Sequence, residues 1–313
     1  MNAPRARIVR RPVHGVLLLD KPVGLSSNDA LQRAKRLYRA EKAGHTGTLD
    51  PLASGLLPLC FGAATKFSQI SLDADKRYLA TLRLGLTRRG GDLEGEVLRE
   101  RPVHVTRAVL RAACDRFTGE IEQLPPMHSA LKHEGRALYE YARAGVEVER
   151  EPRRVTIHAI DIVDGEHDCW MLDVRCSKGT YIRTLAEDIG EALGCGAHLV
   201  ALRRTGSGAL TLDGALTLDA LEAMDEAERD AQLRPADALL ADCPVVRLGA
   251  DDAARFLAGM RRRLALADAQ RVRVFGPEPQ AFLGAGHIVG GELISTRLLS
   301  PTEVQGLLIE RTA

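Results

Sequence analysis

The sequence predicts a mixed α/β or α+β core joined to a small C-terminal β module. Apolar, β-prone stretches alternate with amphipathic helical stretches across residues 1–240. From Cys243 onward the alternation stops. Short apolar runs (VVRL, RVRVFG, AFLGAGHI, LISTRLL) are then separated by glycine-rich turns, the pattern of a small barrel or sandwich. Between the two parts lies an acidic helical stretch, 217–240, read as a connector. Strands alternating with helices, followed by an all-β tail, belong to different layer architectures.

The first strand is the apolar run 14–20, ended by the turn KPVGLSSN. Ser26, Ser27 and Asn28 are candidate N-caps for a helix over 28–39. That helix sets Leu31, Ala34 and Leu37 on one side and Arg33, Lys35 and Arg36 on the other. KRYLATLRLG (76–85) alternates polar and apolar residues, as a strand buried on one face does. A hairpin turn at Gly90, Gly91 and Asp92 leads to 96–98, and 105–118 reads as a short helix. Residues 124–145 form a proline-started loop with a helix near 137–144. Strands at 154–163 and 170–176 precede a turn at Ser177, Lys178 and Gly179 and a helix over 181–193.

At 313 residues the chain suits about two domains, here 1–240 and 243–313. A hydrophobic content of 45% with 27% charged residues is that of a soluble globular protein. No apolar run reaches membrane-spanning length, and VLLL at 16–19 meets Asp20 too soon to be a signal-peptide core. A cytoplasmic protein is expected. The six cysteines have neither CxxC spacing nor a ligand pattern with the nine histidines, so they read as reduced, buried small hydrophobes. The net charge of +1 is unevenly spread. Residues 1–50 carry ten Lys/Arg, Arg5, Arg7, Arg10 and Arg11 among them, against four acids; residues 211–242 carry two against nine. That asymmetry suits one side facing a polyanion and a solvated far side, although charge runs are more often simply solvated faces. Only seven of the 43 basic residues are lysine, which draws notice to Lys21, Lys66 and Lys178.

The most informative stretch is AGHTGTLDPLASGLLPLCFG (43–62). Asp50 is its only acid. Gly44, Gly47 and Gly55 let the backbone approach a ligand, and Pro51 biases Asp50 away from helical geometry. An isolated carboxylate on a stiff turn suits a nucleophile or general base; it equally suits a cap for the turn starting at Pro51. A second constellation is CSKGTYIRTLAEDIGEALGCGAHLVALRR (176–204). There a Lys-Gly turn at a helix start could seat a phosphate, and Arg183 could pair with a distant carboxylate such as Asp50. An ordinary surface arginine and a core Tyr181 fit the same residues. The GxxxxGK[ST] spacing of a Walker loop is absent.

Five blocks, HGVLLLDKPVGLSSNDAL, AGHTGTLDPLASGLLPLCFGAATK, KRYLATLRLG, PPMHSALK and the 176–204 block, occur in an order and spacing that resemble the bacterial tRNA pseudouridine synthase B family. The resemblance spans residues 13–205; the tail from Cys243 resembles the family's PUA-like RNA-binding domain more loosely. It implies a pseudouridine-synthase catalytic domain with a central mixed or antiparallel sheet, a mobile thumb at about 124–150 and a PUA-like β-barrel. It also implies isomerisation of uridine 55 in the TΨC arm of tRNA by a monomer, with no metal, nucleotide cofactor or membrane partner. By the same resemblance Asp50 is the nucleophile and Arg183 the cation that pairs with it. Tyr78 stacks on the target base and assists proton transfer. Tyr181 and Leu202 line the uridine pocket, Lys21 lies near the active site, and His45 helps displace the target nucleotide from the T-loop.

The chemistry requires breaking N1–C1′, turning the base and rejoining it through C5, which needs no redox partner or energy source. A carboxylate can hold the intermediate while the base turns. Aromatic residues make up only 4% of the chain, so recognition should rest on the shape of the arm, phosphate contacts and one or two stacked bases. The helix at 28–39 and Arg261, Arg262 and Arg263 are candidate phosphate contacts. Two departures from the family pattern stand out. TRRGGDLEG (87–95) keeps Asp92 but has Arg88 where an acid is usual, and His128 replaces a common tyrosine. Rival readings are an RNA-folding factor with secondary catalysis and a carboxylate glycosidase, which would want a second acid across the bond.

Overall fold

The computed structural model describes residues 9–278 and 281–310; Arg5 and Arg7 lie outside the described residues. A nine-stranded mixed sheet forms the centre. Its main path runs Gly15–Lys21, Ala53–Phe61, Ala197–Ser207, Lys76–Leu84, Cys169–Cys176, Arg153–Glu166, Gly119–Gln123. Every pairing along this path is antiparallel except that of Ala53–Phe61 with Ala197–Ser207, which is parallel.

The apolar run in Gly15–Lys21 has no polar alternation because both of its faces are covered. Leu17 and Leu19 join the larger core, while Val16 and Leu18 enter a second core beneath the C-terminal module. Ala53–Phe61 does the same, with Leu57, Leu59 and Phe61 on one side and Leu56 and Cys60 on the other. This strand and Ala197–Ser207 lie outside the elements expected from sequence. The first is apolar on both faces and the second carries a register shift between Leu199 and Ala201, so neither displays a period of two. Lys76–Leu84 does alternate: Tyr78, Ala80, Leu82 and Leu84 enter the larger core. Helices Arg107–Arg116 and Ile182–Ala192 cover that face through Leu110, Cys114, Leu185 and Ile189.

The helix Ser27–Leu37 begins where the capping residues predict, with the Ser26 hydroxyl accepting from the Asp29 N–H at 3.1 Å. The acidic connector contains helices Leu218–Ala223 and Glu226–Ala231. It packs beside the N-terminal segment, where Arg39 pairs with Glu226 and Arg11 with Asp230, both at 2.5 Å. Part of the charge asymmetry is therefore neutralised within the fold rather than presented to a polyanion.

The C-terminal strands form a curled five-stranded sheet, ordered Val245–Arg247, Ala269–Phe275, Phe282–Val289, Glu292–Leu298, Arg262–Arg263. The four predicted apolar runs are all strands, and the sheet fits the expected PUA-like module. Helices Ala250–Leu257 and Pro301–Glu310, not foreseen from sequence, pack on it. Phe67 and Phe282 meet across the junction with the central sheet, ring centroids 5.1 Å apart. Lys66 reaches across the same junction to Glu303 at 2.6 Å.

Candidate active site

The parallel strand pair builds the site. Pairing Ala53–Phe61 with Ala197–Ser207 sets Leu202, Arg203 and Arg204 against Ala53, Ser54 and Gly55, directly after the Asp50 turn. The antiparallel pairing on the other edge sets Tyr78 opposite Arg204 and Ala80 opposite Leu202. Segments far apart in sequence thus converge at one end of the sheet.

Asp50 leaves a turn closed by the Ala53 N–H donating to the Asp50 carbonyl at 3.0 Å. Its carboxylate points to the Arg183 guanidinium, with Oδ2 3.0 Å from Nη2. Arg183 stands in the first turn of Ile182–Ala192 and its side chain is 6% exposed. Its Nη1 lies 3.4 Å from the Asp92 carboxylate and donates to the Gly90 carbonyl at 3.1 Å. Nη2 also donates to the His128 carbonyl at 2.7 Å. One guanidinium thus joins the Asp50 turn, the hairpin loop and the first residues of the 124–150 segment. Burial pushes the Asp50 carboxyl above the usual aspartate range. Arg183 and Lys21 pull it back and Asp92 pushes it further up. Burial wins, so the charge of Asp50 is supported by its neighbours but held at a cost.

Tyr78 is buried in the strand Lys76–Leu84, and desolvation raises its phenol pKa while the adjacent Arg204 opposes that shift. Leu202 is 8% exposed beside it. Tyr181 is the N-cap of Ile182–Ala192, its main chain clamped by buried Gln123. The Tyr181 N–H donates to Oε1 at 3.0 Å, and Nε2 donates to the Tyr181 carbonyl at 3.3 Å. His45 lies on the short strand Ala43–His45, with burial and Arg204 both lowering its pKa, so the neutral ring is favoured. Its Nδ1 is buried with no hydrogen-bond partner among the described residues.

Lys21 is fully buried and donates to the Pro22 and Leu25 carbonyls at 2.8 and 2.7 Å. Desolvation lowers its pKa to about 8, while Asp50 raises it. Of the other lysines singled out, Lys178 is exposed and pairs with Asp73 at 2.8 Å, and Lys66 is committed to the junction.

Several site residues were not foreseen. Ser27, an N-cap candidate, instead sits inside: its hydroxyl accepts from the Leu49 N–H at 2.7 Å and donates to the Leu49 carbonyl at 3.1 Å, bracing the residue before Asp50. Gln123 and Arg204 carried no sequence signal beyond being polar residues in strands that prove to be buried. The two departures are accommodated. Arg88 donates to the Gly95 carbonyl at 2.9 Å and holds the loop that presents Asp92. His128 reaches Arg183 through its backbone, so the change of side chain leaves that contact intact. In the C-terminal module Arg261 and Arg262 face Glu292 and Asp252. Among the described residues, no group of three or more His, Cys, Asp or Glu side chains could hold a metal ion.

A carboxylate beside a buried guanidinium can add to or attack a bound ring while its charge is balanced. A family model described as TruB family pseudouridylate synthase (N terminal domain) matches residues 35–182. Models for the tRNA pseudouridylate synthase B C-terminal domain and for pseudouridine synthase II TruB, C-terminal, match 183–241 and 244–299. The chain is 62% identical over 304 residues to the tRNA pseudouridine synthase B of Ralstonia nicotianae, covering 94% of this chain and 97% of that protein. It is 61% identical over 305 residues to the one from Cupriavidus pinatubonensis, covering 94% and 96%. Among solved structures, a chain in the crystal structure of a Cbf5–Nop10–Gar1 complex matches with a TM-score of 0.71 at 25% identity, covering 97% of this chain and 92% of that one. The protein belongs to the TruB family of pseudouridylate synthases, which includes these bacterial tRNA pseudouridine synthases B.

Proposed function

We propose that this protein isomerises uridine to pseudouridine in tRNA, at position 55 of the T-arm, with Asp50 as the nucleophile. The observation that carries the reading is the 3.0 Å contact between the Asp50 carboxylate and a guanidinium buried beneath it. That cation favours the anionic nucleophile against the desolvation of the pocket and orients it. The N1–C1′ bond breaks, the uracil turns, and a C5–C1′ bond forms; the C5 proton leaves and N1 gains one. Tyr78 stacks on the base and assists that transfer, with Leu202 and Tyr181 lining the pocket. Neutral His45 helps displace the nucleotide from the T-loop, and extrusion costs a few kcal/mol. Lys21 supports the turn beside the site.

The remaining assignments accompany this one. Residues 1–240 form the catalytic domain, with 124–150 as a thumb over the arm, and 243–313 form the RNA-binding module. The enzyme works as a cytoplasmic monomer. The test is incubation with an unmodified tRNA transcript followed by mapping of the isomerised nucleotide. Pseudouridine at 55 in wild type, absent with Asp50→Asn while RNA binding persists, supports the proposal. Release of free uracil, or full activity in Asp50→Asn, would refute it.

A further inference from the structure

Arg204 has no part in the roles above, yet by residue volume it heads the fully buried side chains, at 1% exposure. Its guanidinium ends on backbone carbonyls. Nε donates to Leu56 at 2.7 Å, Nη2 to Gly47 at 3.2 Å and Nη1 to Thr48 at 3.5 Å. Burying a full positive charge against neutral acceptors is costly, so the position calls for an explanation. The three carbonyls lie on both sides of Asp50 in the chain. The Arg204 main chain also pairs with Gly55 on one edge and Tyr78 on the other. Gly55 has φ +97°, and a Cβ there would stand 2.3 Å from the Arg204 carbonyl, so the approach is as close as the backbone permits.

The geometry points to Arg204 as a positioning residue, whose forked guanidinium ties the carbonyls flanking Asp50 to the strand of Tyr78 and so holds nucleophile and tyrosine in fixed relation. This deepens the proposed function and rests on it. A lysine could keep the charge, but its single ammonium lacks the planar fork that reaches three divergent acceptors. The same charge favours the phenolate of Tyr78 and the neutral forms of Lys21 and His45, so its field reaches the site as well.

The test compares wild type, Arg204→Met, Arg204→Lys and Gly47→Ala on unmodified tRNA transcript. Single-turnover rates with saturating enzyme and RNA dissociation constants are measured separately, at a temperature where circular dichroism shows each protein folded. Asp50→Asn serves as the inactive reference. Both Arg204 variants are expected to lose about 100-fold in the single-turnover rate constant, the cost of a misplacement near 1 Å, with RNA affinity little changed. Gly47→Ala, which sets a Cβ 3.5 Å from Nη1 at φ +127°, should lower the same constant from the loop side. A wild-type rate in Arg204→Met, full recovery in Arg204→Lys or a loss confined to affinity overturns the inference. If neither Arg204 variant folds, the Gly47→Ala rate decides: lowered supports, unchanged overturns. If wild type forms no more pseudouridine than Asp50→Asn, the functional reading falls and takes this one with it.

Discussion

Replacing Arg183 by methionine keeps much of the side-chain volume and removes the charge that Asp50 depends on. The lost contact is a 3.0 Å charge-assisted hydrogen bond, of a kind worth about 1.5–3 kcal/mol. The Asp50 side chain is 37% exposed, so solvent screening favours the low end of that range. Loss of that contact removes the main influence holding the Asp50 pKa down, so the pKa rises further. Burial already places that pKa above the usual aspartate range, and loss of Arg183 also leaves Asp92 unopposed. The sign follows: an activity that needs the carboxylate disappears on acidification, and in the variant it disappears at a higher pH. A second loss, of about 100-fold, comes from releasing the orientation of Asp50. The two separate on a single-turnover pH–rate profile, because only the orientation loss persists on the alkaline plateau. RNA affinity should change little, since the buried guanidinium is directed at carboxylates and carbonyls. An unmoved acid limb with a normal plateau, or a defect found only in binding, would refute the reasoning.

Further outcomes follow from the same site. Asp50→Asn should abolish isomerisation yet leave thermal stability unchanged or raised, because the fold no longer holds a carboxylate whose ionisation burial disfavours; a clear fall in Tm would contradict this. Ser27→Ala leaves the buried Leu49 N–H without its acceptor and should cost about 2 kcal/mol in urea unfolding. Lys21 has its pKa lowered to about 8, so between there and its ordinary value of 10.5 the folded state binds fewer protons than the unfolded state. The stability of wild type relative to Lys21→Met should therefore rise across that window, and a flat difference would place the amine in water. Added salt should weaken RNA binding steeply, and a shallow log–log slope would argue against phosphate-led recognition.

Some of this architecture could be read along the chain. The helix capped by Ser26 and the alternating strand around Tyr78 announce themselves by a cap and a local period, and four of the five C-terminal strands as apolar runs between glycine-rich turns. The strands Ala53–Phe61 and Ala197–Ser207 do not, because one is buried on both faces and the other is bulged. They are nevertheless the pair whose register assembles the site. Asp50, Arg183 and Tyr78 are candidates from their blocks, and the family pattern pairs Arg183 with Asp50, yet nothing in the sequence points to Asp92 or the Gly90 and His128 carbonyls as further partners of that guanidinium. Ser27, Gln123 and Arg204 look ordinary in sequence because their importance lies in backbone groups they meet across long separations.

The amino-acid order alone determined the family pattern, the two-part organisation and the identity of the single acid on its glycine-lined turn. The family pattern already implies the pairing of Arg183 with Asp50; only the tertiary structure decided that Asp92 shares that guanidinium and that Arg11 and Arg39 are spent on the acidic connector. The reason is physical. Periodicity and capping are local properties of a chain, whereas the ionisation and aim of a carboxylate depend on burial and on charges brought close by strand register.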